Sequence, residues 1–342
     1  MKEKLVKSGF ILPSAAFTVP RNQIKYRSML VKVPEAGDLV YGSILYLGKH
    51  RTLENKEGRI HKINDGTKAI FVFGNRYAPD YYEGIVPSSF KNEVDLLSRS
   101  GIIGDMIEKN SNIHDCTKVK VYGYIVDDNG KVLNTRNFSL LNSSIRKKDV
   151  TNCKMILCIG TAMNSGKSQA ASRCCWALSS AGHKVTACKI TGTASLKDIL
   201  LMEDDGASRV ADFTYMGYPS TYLIPEEDVF NIFKQLKRMY APNNGYWVVE
   251  FADGILQKET ALLLHSKEIR QQIHKIVFCA HDAVGIVGGL NILKQNFNLE
   301  PDIISGYCSS SPLAIQEFKR FTNLPVFDNI KCDLKTMLEL LL

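Results

Sequence analysis

The chain has 342 residues, 45% apolar and 23% charged, the ordinary balance of a globular protein, and its length suits two domains with a core each. Its longer apolar runs, such as 155–159 and 276–280, are far too short to cross a bilayer, and Pro13 and Ser14 make the N-terminal stretch a poor signal peptide. The net charge of +8 sits in residues 1–150, with 24 Lys and Arg against 16 Asp and Glu, while 151–342 carry 19 of each.

That excess marks either an anionic partner such as nucleic acid or a mixed solvated surface, and its even spread favours the surface. None of the nine cysteines sits in a C-x-x-C pair, and several lie in apolar runs. Buried free thiols in a reducing compartment fit them better than disulfides or a metal site. The seven histidines show no ligand spacing. A cytoplasmic protein with no membrane partner is expected.

In chain order, residues 1–138 read as a β-rich domain. Runs 24–33, 39–47, 59–63 and 68–73 are rich in β-branched and aromatic residues and bounded by turn residues such as Gly37, Asp38, Asp65 and Gly66. Runs 118–126 and 131–133 flank Asp127-Asp128-Asn129-Gly130, a hairpin signal because Asn-Gly suits a turn of positive φ. A small, mainly antiparallel barrel or sandwich follows. The stretch from Phe73 to Gly84, with three tyrosines around Arg76 and Asp80, is either a recognition loop over Asn75 to Tyr82 or a packed loop.

Residues 139–152, with Arg146, Lys147 and Lys148, read as a linker. From 153 to 342 the pattern changes. Apolar runs 155–159, 184–190, 246–251, 275–280 and 302–307 suit parallel strands covered on both faces, with helical stretches at 169–181, 226–240, 258–272, 290–296 and 311–321. This alternation predicts an α/β fold with a doubly wound, mainly parallel sheet.

Between the first strand and helix of that half lies Gly160-Thr161-Ala162-Met163-Asn164-Ser165-Gly166-Lys167-Ser168-Gln169. Its end matches a Walker A loop, but the usual glycine at 161 is Thr161 and a glycine stands one residue earlier. The strand–loop–helix setting is what phosphate binding needs. Backbone N–H groups of the loop and the helix N terminus face the phosphates, Lys167 reaches the β and γ oxygens, and the Ser168 hydroxyl holds Mg²⁺. Gly160, Thr161, Asn164, Ser165, Gly166, Lys167, Ser168 and Gln169 are thus the candidate nucleotide-binding residues.

The spelling G-T-x-x-x-x-G-K-S resembles the loop of dethiobiotin synthetase-like P-loop NTPases, the class with MinD-like ATPases and signal-recognition GTPases. Two further stretches extend the resemblance over about 153–330. Cys188-Lys189-Ile190-Thr191-Gly192-Thr193 is similar to the family's substrate-holding lysine loop. Val248-Val249-Glu250-Phe251-Ala252-Asp253-Gly254 is similar to its metal-binding strand end, departing at Phe251 and Asp253.

The resemblance implies Mg²⁺ and ATP as cofactors, a homodimer, and Lys167, Lys189, Glu250 and Asp253 as catalytic candidates. Glu250, at a strand's carboxyl end, either coordinates Mg²⁺ or caps the next helix, and the resemblance implies that Asp205 or Asp212 completes a set that includes Ser168, where a solvated acidic loop is the alternative. Lys189 either neutralises developing phosphoryl charge or is a solvated strand-end lysine. Asp253 binds substrate, positions water or caps the next helix. The late loop from Ser305 to Pro312 lacks the Asn with which the family reads adenine. His281 and Asp282 stand at another strand end, where α/β sites form.

Two functions fit. One is an ATP-dependent ligase or synthetase that phosphorylates a small carboxylate or carbamate acceptor, which the sequence does not identify. The other is a nucleotide-driven switch ATPase acting on a macromolecule through the N-terminal β domain. A β-barrel binding module with an inactive loop fits less well, because Lys167 and Ser168 are intact.

Overall fold

The computed structural model describes residues 2–4, 9–141 and 152–342, and the chain divides into two compact units. One comprises Met1–Asn142, Thr193–Leu196 and Phe213–Leu223; the other comprises Ser143–Gly192, Lys197–Asp212 and Ile224–Leu342. The β-rich unit therefore includes two short segments from the later half of the chain. The expected linker, with Arg146, Lys147 and Lys148, falls largely outside the described residues.

The β-rich unit contains β1 (Lys2–Lys4), β2 (Tyr26–Ser28), β3 (Leu39–Tyr46), β4 (Thr52–Glu54), β5 (Ile60–Lys62) and β6 (Lys68–Phe73). It continues with β7 (Arg76–Tyr77), β8 (Tyr82–Ile85), β9 (Glu93–Leu96), β10 (Ile102–Lys109) and β11 (Thr117–Val126). The ladders β3–β6, β6–β10, β10–β9, β9–β11 and β11–β3 close on themselves, and of these only β6–β10 is parallel. One buried cluster draws on Val40, Phe71, Ile103, Leu96 and Val119, one from each strand of that ring, and so fills its interior. Along β6, Ala69, Phe71 and Phe73 join this cluster, while Ile70 and Val72 join a second one covered by Phe10, Leu12, Ala15 and Val19. Both faces of the strand are dry, which is why it reads as an apolar run rather than an alternation.

Several expectations for this unit differ in detail. The run 24–33 pairs only over β2, since Leu30 turns onto the core and Lys32 reaches Asp38. Residues 131–133 make a single bridge, Val126↔Val132, although the turn forms, with Asp127 N–H on Lys131 O at 2.9 Å and Gly130 at φ 84°. The stretch around Asn75 to Tyr82 is packed: β7 pairs with β8, Tyr82 is buried, and Asn75 bonds Tyr222 O and Val86 N–H.

The second unit is an α/β fold. Its sheet strands are β12 (Cys153–Gly160), β13 (Val185–Lys189), β14 (Val210–Asp212), β15 (Gly245–Glu250), β16 (Ile273–Cys279) and β17 (Ile303–Ser305). They run β14-β13-β15-β12-β16-β17, all parallel. The helices are α1 (Lys167–Ser180), α2 (Leu196–Asp204), α3 (Glu226–Tyr240), α4 (Lys258–His265), α5 (Lys267–Arg270), α6 (Ala283–Phe297), α7 (Pro312–Phe318) and α8 (Leu334–Leu341).

In α3, Val229, Ile232, Phe233 and Leu236 form the buried stripe. Glu226, Glu227 and Asp228 open that helix and Lys237 and Arg238 close it, each sign opposing the helix dipole. Gly182, at φ 80°, follows the end of α1, with His183 N–H reaching back to Leu178 O at 3.0 Å. The strand β12 lies between β15 and β16, so chain order reverses beside it and its carboxyl end opens at a crevice-forming edge. No helix among the described residues is long and apolar enough to cross a membrane.

Candidate functional site

Residues 161–166 bridge the end of β12 and the start of α1, and the placement of the two glycines explains the unusual spelling. Gly160 needs space: a Cβ there would lie 2.4 Å from Ser165 Oγ and 2.6 Å from Cys279 O. Thr161 has an ordinary φ, and its N–H donates to Cys279 O at 2.9 Å. Asn164 and Gly166 have positive φ, 60° and 98°. A side chain at Gly166 would also meet Asn329 Nδ2 and Gly306 Cα, each at 2.8 Å. The loop is held from outside as well. Tyr307 N–H donates to Ser165 O at 3.0 Å and Asn329 Nδ2 to Gly166 O at 3.1 Å.

Lys167 opens α1 and is buried, its Nζ turned over the loop to Ala162 O at 2.7 Å and to Asp253 O. Asp253 follows Ala252, whose carbonyl accepts from the Thr191 and Thr260 hydroxyls. Burial pushes the Lys167 ammonium below its ordinary pKa, and the Glu250 and Asp253 carboxylates offset part of that. Ser168 Oγ lies 3.1 Å from Glu250 Oε1, and Glu250 Oε2 is buried with no hydrogen-bond partner. A buried carboxylate oxygen left unsatisfied beside a hydroxyl is a hard-oxygen pair of the kind Mg²⁺ takes.

Lys189 ends β13 opposite Glu250 in the ladder. It is not a solvated lysine but is 7% exposed, and its Nζ lies 2.5 Å from Asp198 Oδ2 and 3.8 Å from Glu250 Oε1. Burial opposes its charge, but the Asp198 and Glu250 carboxylates outweigh that and hold its pKa well above the ordinary value. Burial pushes the Glu250 carboxyl up, while Lys189 and Lys167 pull it back. One edge of the sheet thus gathers Lys167, Ser168, Lys189, Asp198, Glu250 and the Asp253 backbone.

Other sequence candidates stand elsewhere. Asp205 bonds Ser172 Oγ and lies 3.8 Å from Arg173 Nη1, on α1 beyond its first turn, so it is not brought to the Ser168–Glu250 pair. Asp212 is buried at the end of the edge strand β14, in register with Lys189. Gln169 follows Ser168 in the first turn of α1. His281 Nε2 lies 3.0 Å from Met163 O, and Asp282 caps α6 through Gly285 N–H.

Sequence reasoning missed two residues. Asp198 is an acidic residue in the first turn of α2, a helix not anticipated there. Asn329, which takes Ser305 Oγ at 2.6 Å and steadies Gly166, lies outside every motif. Among the described residues no group of three or more His, Cys, Asp and Glu forms a metal cluster, so a cation here would rely on Ser168, Glu250 and its ligand's own oxygens.

No family model matches the chain, and no curated protein matches it. Among solved structures it is similar to the signal recognition particle receptor FtsY from Elizabethkingia anophelis in complex with GDP. The identity is 11% over 61% of this chain and 74% of that one, with a TM-score of 0.35. It is also similar to FtsY from Mycoplasma mycoides, at 15% identity over 57% and 69% with a TM-score of 0.34. A ParA family ATPase from Chlorobium tepidum TLS gives 16% over 55% and 88%, also at 0.34.

Proposed function

We propose that the chain is a Mg²⁺-dependent P-loop protein that binds and hydrolyses ATP, and that it works as a dethiobiotin synthetase-like ligase on a small carboxylate or carbamate. The observation that carries this is the buried Lys167 turned over the loop beside the Ser168–Glu250 pair, whose Oε2 has no hydrogen-bond partner. In such a reaction the γ-phosphoryl group passes to a carboxylate oxygen and ADP leaves. An amine or hydroxyl then displaces phosphate from the acyl phosphate. Mg²⁺ at Ser168 and Glu250 would supply charge neutralisation on the phosphate oxygens.

The chain's own residues do the rest. The loop and the N terminus of α1 cradle phosphate, with Gly160 and Gly166 letting the loop pack closely on Cys279, Gly306 and Asn329. Lys167 exchanges carbonyl partners for phosphate oxygens, a trade that its burial favours because a full anion compensates the ammonium better than a carbonyl does. Lys189 places a second positive charge beside Glu250, where an anionic acceptor gains most from it. A homodimer and the choice of ATP over GTP belong to the same proposal and rest on the sequence resemblance.

A switch ATPase is the second reading. It is favoured by the segments 193–196 and 213–223, which follow the ends of β13 and β14 and belong to the β-rich unit. Nucleotide turnover against a panel of small carboxylates, carbamates and amines tests the ligase. Hydrolysis that depends on one such acceptor supports it. Slow hydrolysis that no acceptor changes refutes it in favour of the switch.

A further inference from the structure

Lys189 stands between two carboxylates at unequal distances. Its Nζ is hydrogen-bonded to Asp198 at 2.5 Å and stops 3.8 Å short of Glu250 Oε1. Its arm lies against Gly192, whose missing side chain leaves it room: a Cβ there would lie 3.1 Å from Lys189 Cε. The ammonium's position is therefore set by which acid it bonds. Asp198 sits in the first turn of α2, where the helix end favours a negative charge. Glu250 has its own donor, Ser168 Oγ on Oε1, and an unsatisfied Oε2.

With the Asp198 charge removed, the nearest anion left to the buried ammonium is Glu250, with Asp253 a weaker attraction. It closes on Glu250, a shift of roughly 1 Å to hydrogen-bond distance. The carboxylate then serves a lysine instead of a cation. We propose that Asp198 is a positioning residue that holds the Lys189 ammonium off Glu250 and so keeps that carboxylate available to Mg²⁺. This rests on the reading that Ser168 and Glu250 hold the cation.

The test is binding of a fluorescent ATP analogue to the full chain, titrated with Mg²⁺ and repeated in EDTA. Asp198→Asn should raise the half-saturating Mg²⁺ concentration roughly 10- to 100-fold, the scale on which partners of metal-binding groups act, and leave the EDTA affinity unchanged. In a Lys189→Gln background the same substitution should do nothing, since Asp198 acts only through Lys189. An unchanged Mg²⁺ requirement in folded Asp198→Asn overturns the proposal. So does a shift of similar size in the Lys189→Gln background, and that comparison decides even where Asp198→Asn alone does not fold. Wild-type protein whose nucleotide affinity ignores Mg²⁺ would instead overturn the cation site itself.

Discussion

The loop requires glycine at position 160 and not at 161, and one pair of substitutions separates the two. Gly160→Ala puts a methyl group 2.4 Å from Ser165 Oγ, 2.6 Å from Cys279 O and 3.1 Å from Lys167 Cγ. The carbonyl belongs to β16, which is paired with β12, so it cannot step aside without breaking the ladder. Overpacking of this kind costs about 1–3 kcal/mol, and a unit of this size loses roughly 2–4 °C in Tm per kcal/mol. Thr161→Ala removes atoms from a half-buried residue of ordinary backbone conformation, and the expected change is within about 0.5 kcal/mol. Both tryptophans, Trp176 and Trp247, lie in the α/β unit, so their fluorescence during denaturant unfolding reports it. Nucleotide affinity should fall with stability in Gly160→Ala and hold in Thr161→Ala. If Gly160→Ala matches wild type, or Thr161→Ala is the worse of the two, the reasoning about this loop is refuted.

Asp205→Ala strands the buried Ser172 hydroxyl and should cost about 1–3 kcal/mol of stability. Its Mg²⁺ requirement for nucleotide binding should equal wild type, and a raised requirement would return Asp205 to the metal site. In the β-rich unit, burial and the Arg76 charge hold the His50 pKa near 3, below its ordinary 6.5. The unfolded chain therefore takes a proton that the folded chain refuses, and stability falls as pH drops from 6.5 toward 3. The share from this one group is up to about 1.4 kcal/mol per pH unit. Hydrogen-exchange protection of β3 and β11 should lose that slope in His50→Gln, and identical slopes in the two proteins would contradict it.

The long, doubly covered strands were legible because burial on both faces leaves an apolar run. That holds for β12, β13, β15 and β16, within a residue or two at most ends. The edge strand β14 escaped, since three residues carry no periodicity. So did the start of α6, where Gly285, Gly288 and Gly289 mimic a loop although Gly289 is a packing contact: a Cβ there would lie 2.2 Å from Phe278. At the site, Lys167, Ser168, Lys189 and Glu250 were readable because a shared chemistry fixes their local spelling. Asp198 and Asn329 were not, because each acts on a motif residue from a distant part of the chain, by a contact that only folding creates.

The central claim is that the loop beginning at Gly160 binds nucleotide through Lys167. Isothermal titration calorimetry of Mg·ATP into wild type and Lys167→Ala tests it most directly, with circular dichroism to show that both are folded. Saturable binding to wild type and its loss in Lys167→Ala is the predicted result. Wild-type affinity retained in Lys167→Ala, or no binding to the wild-type chain, would contradict it.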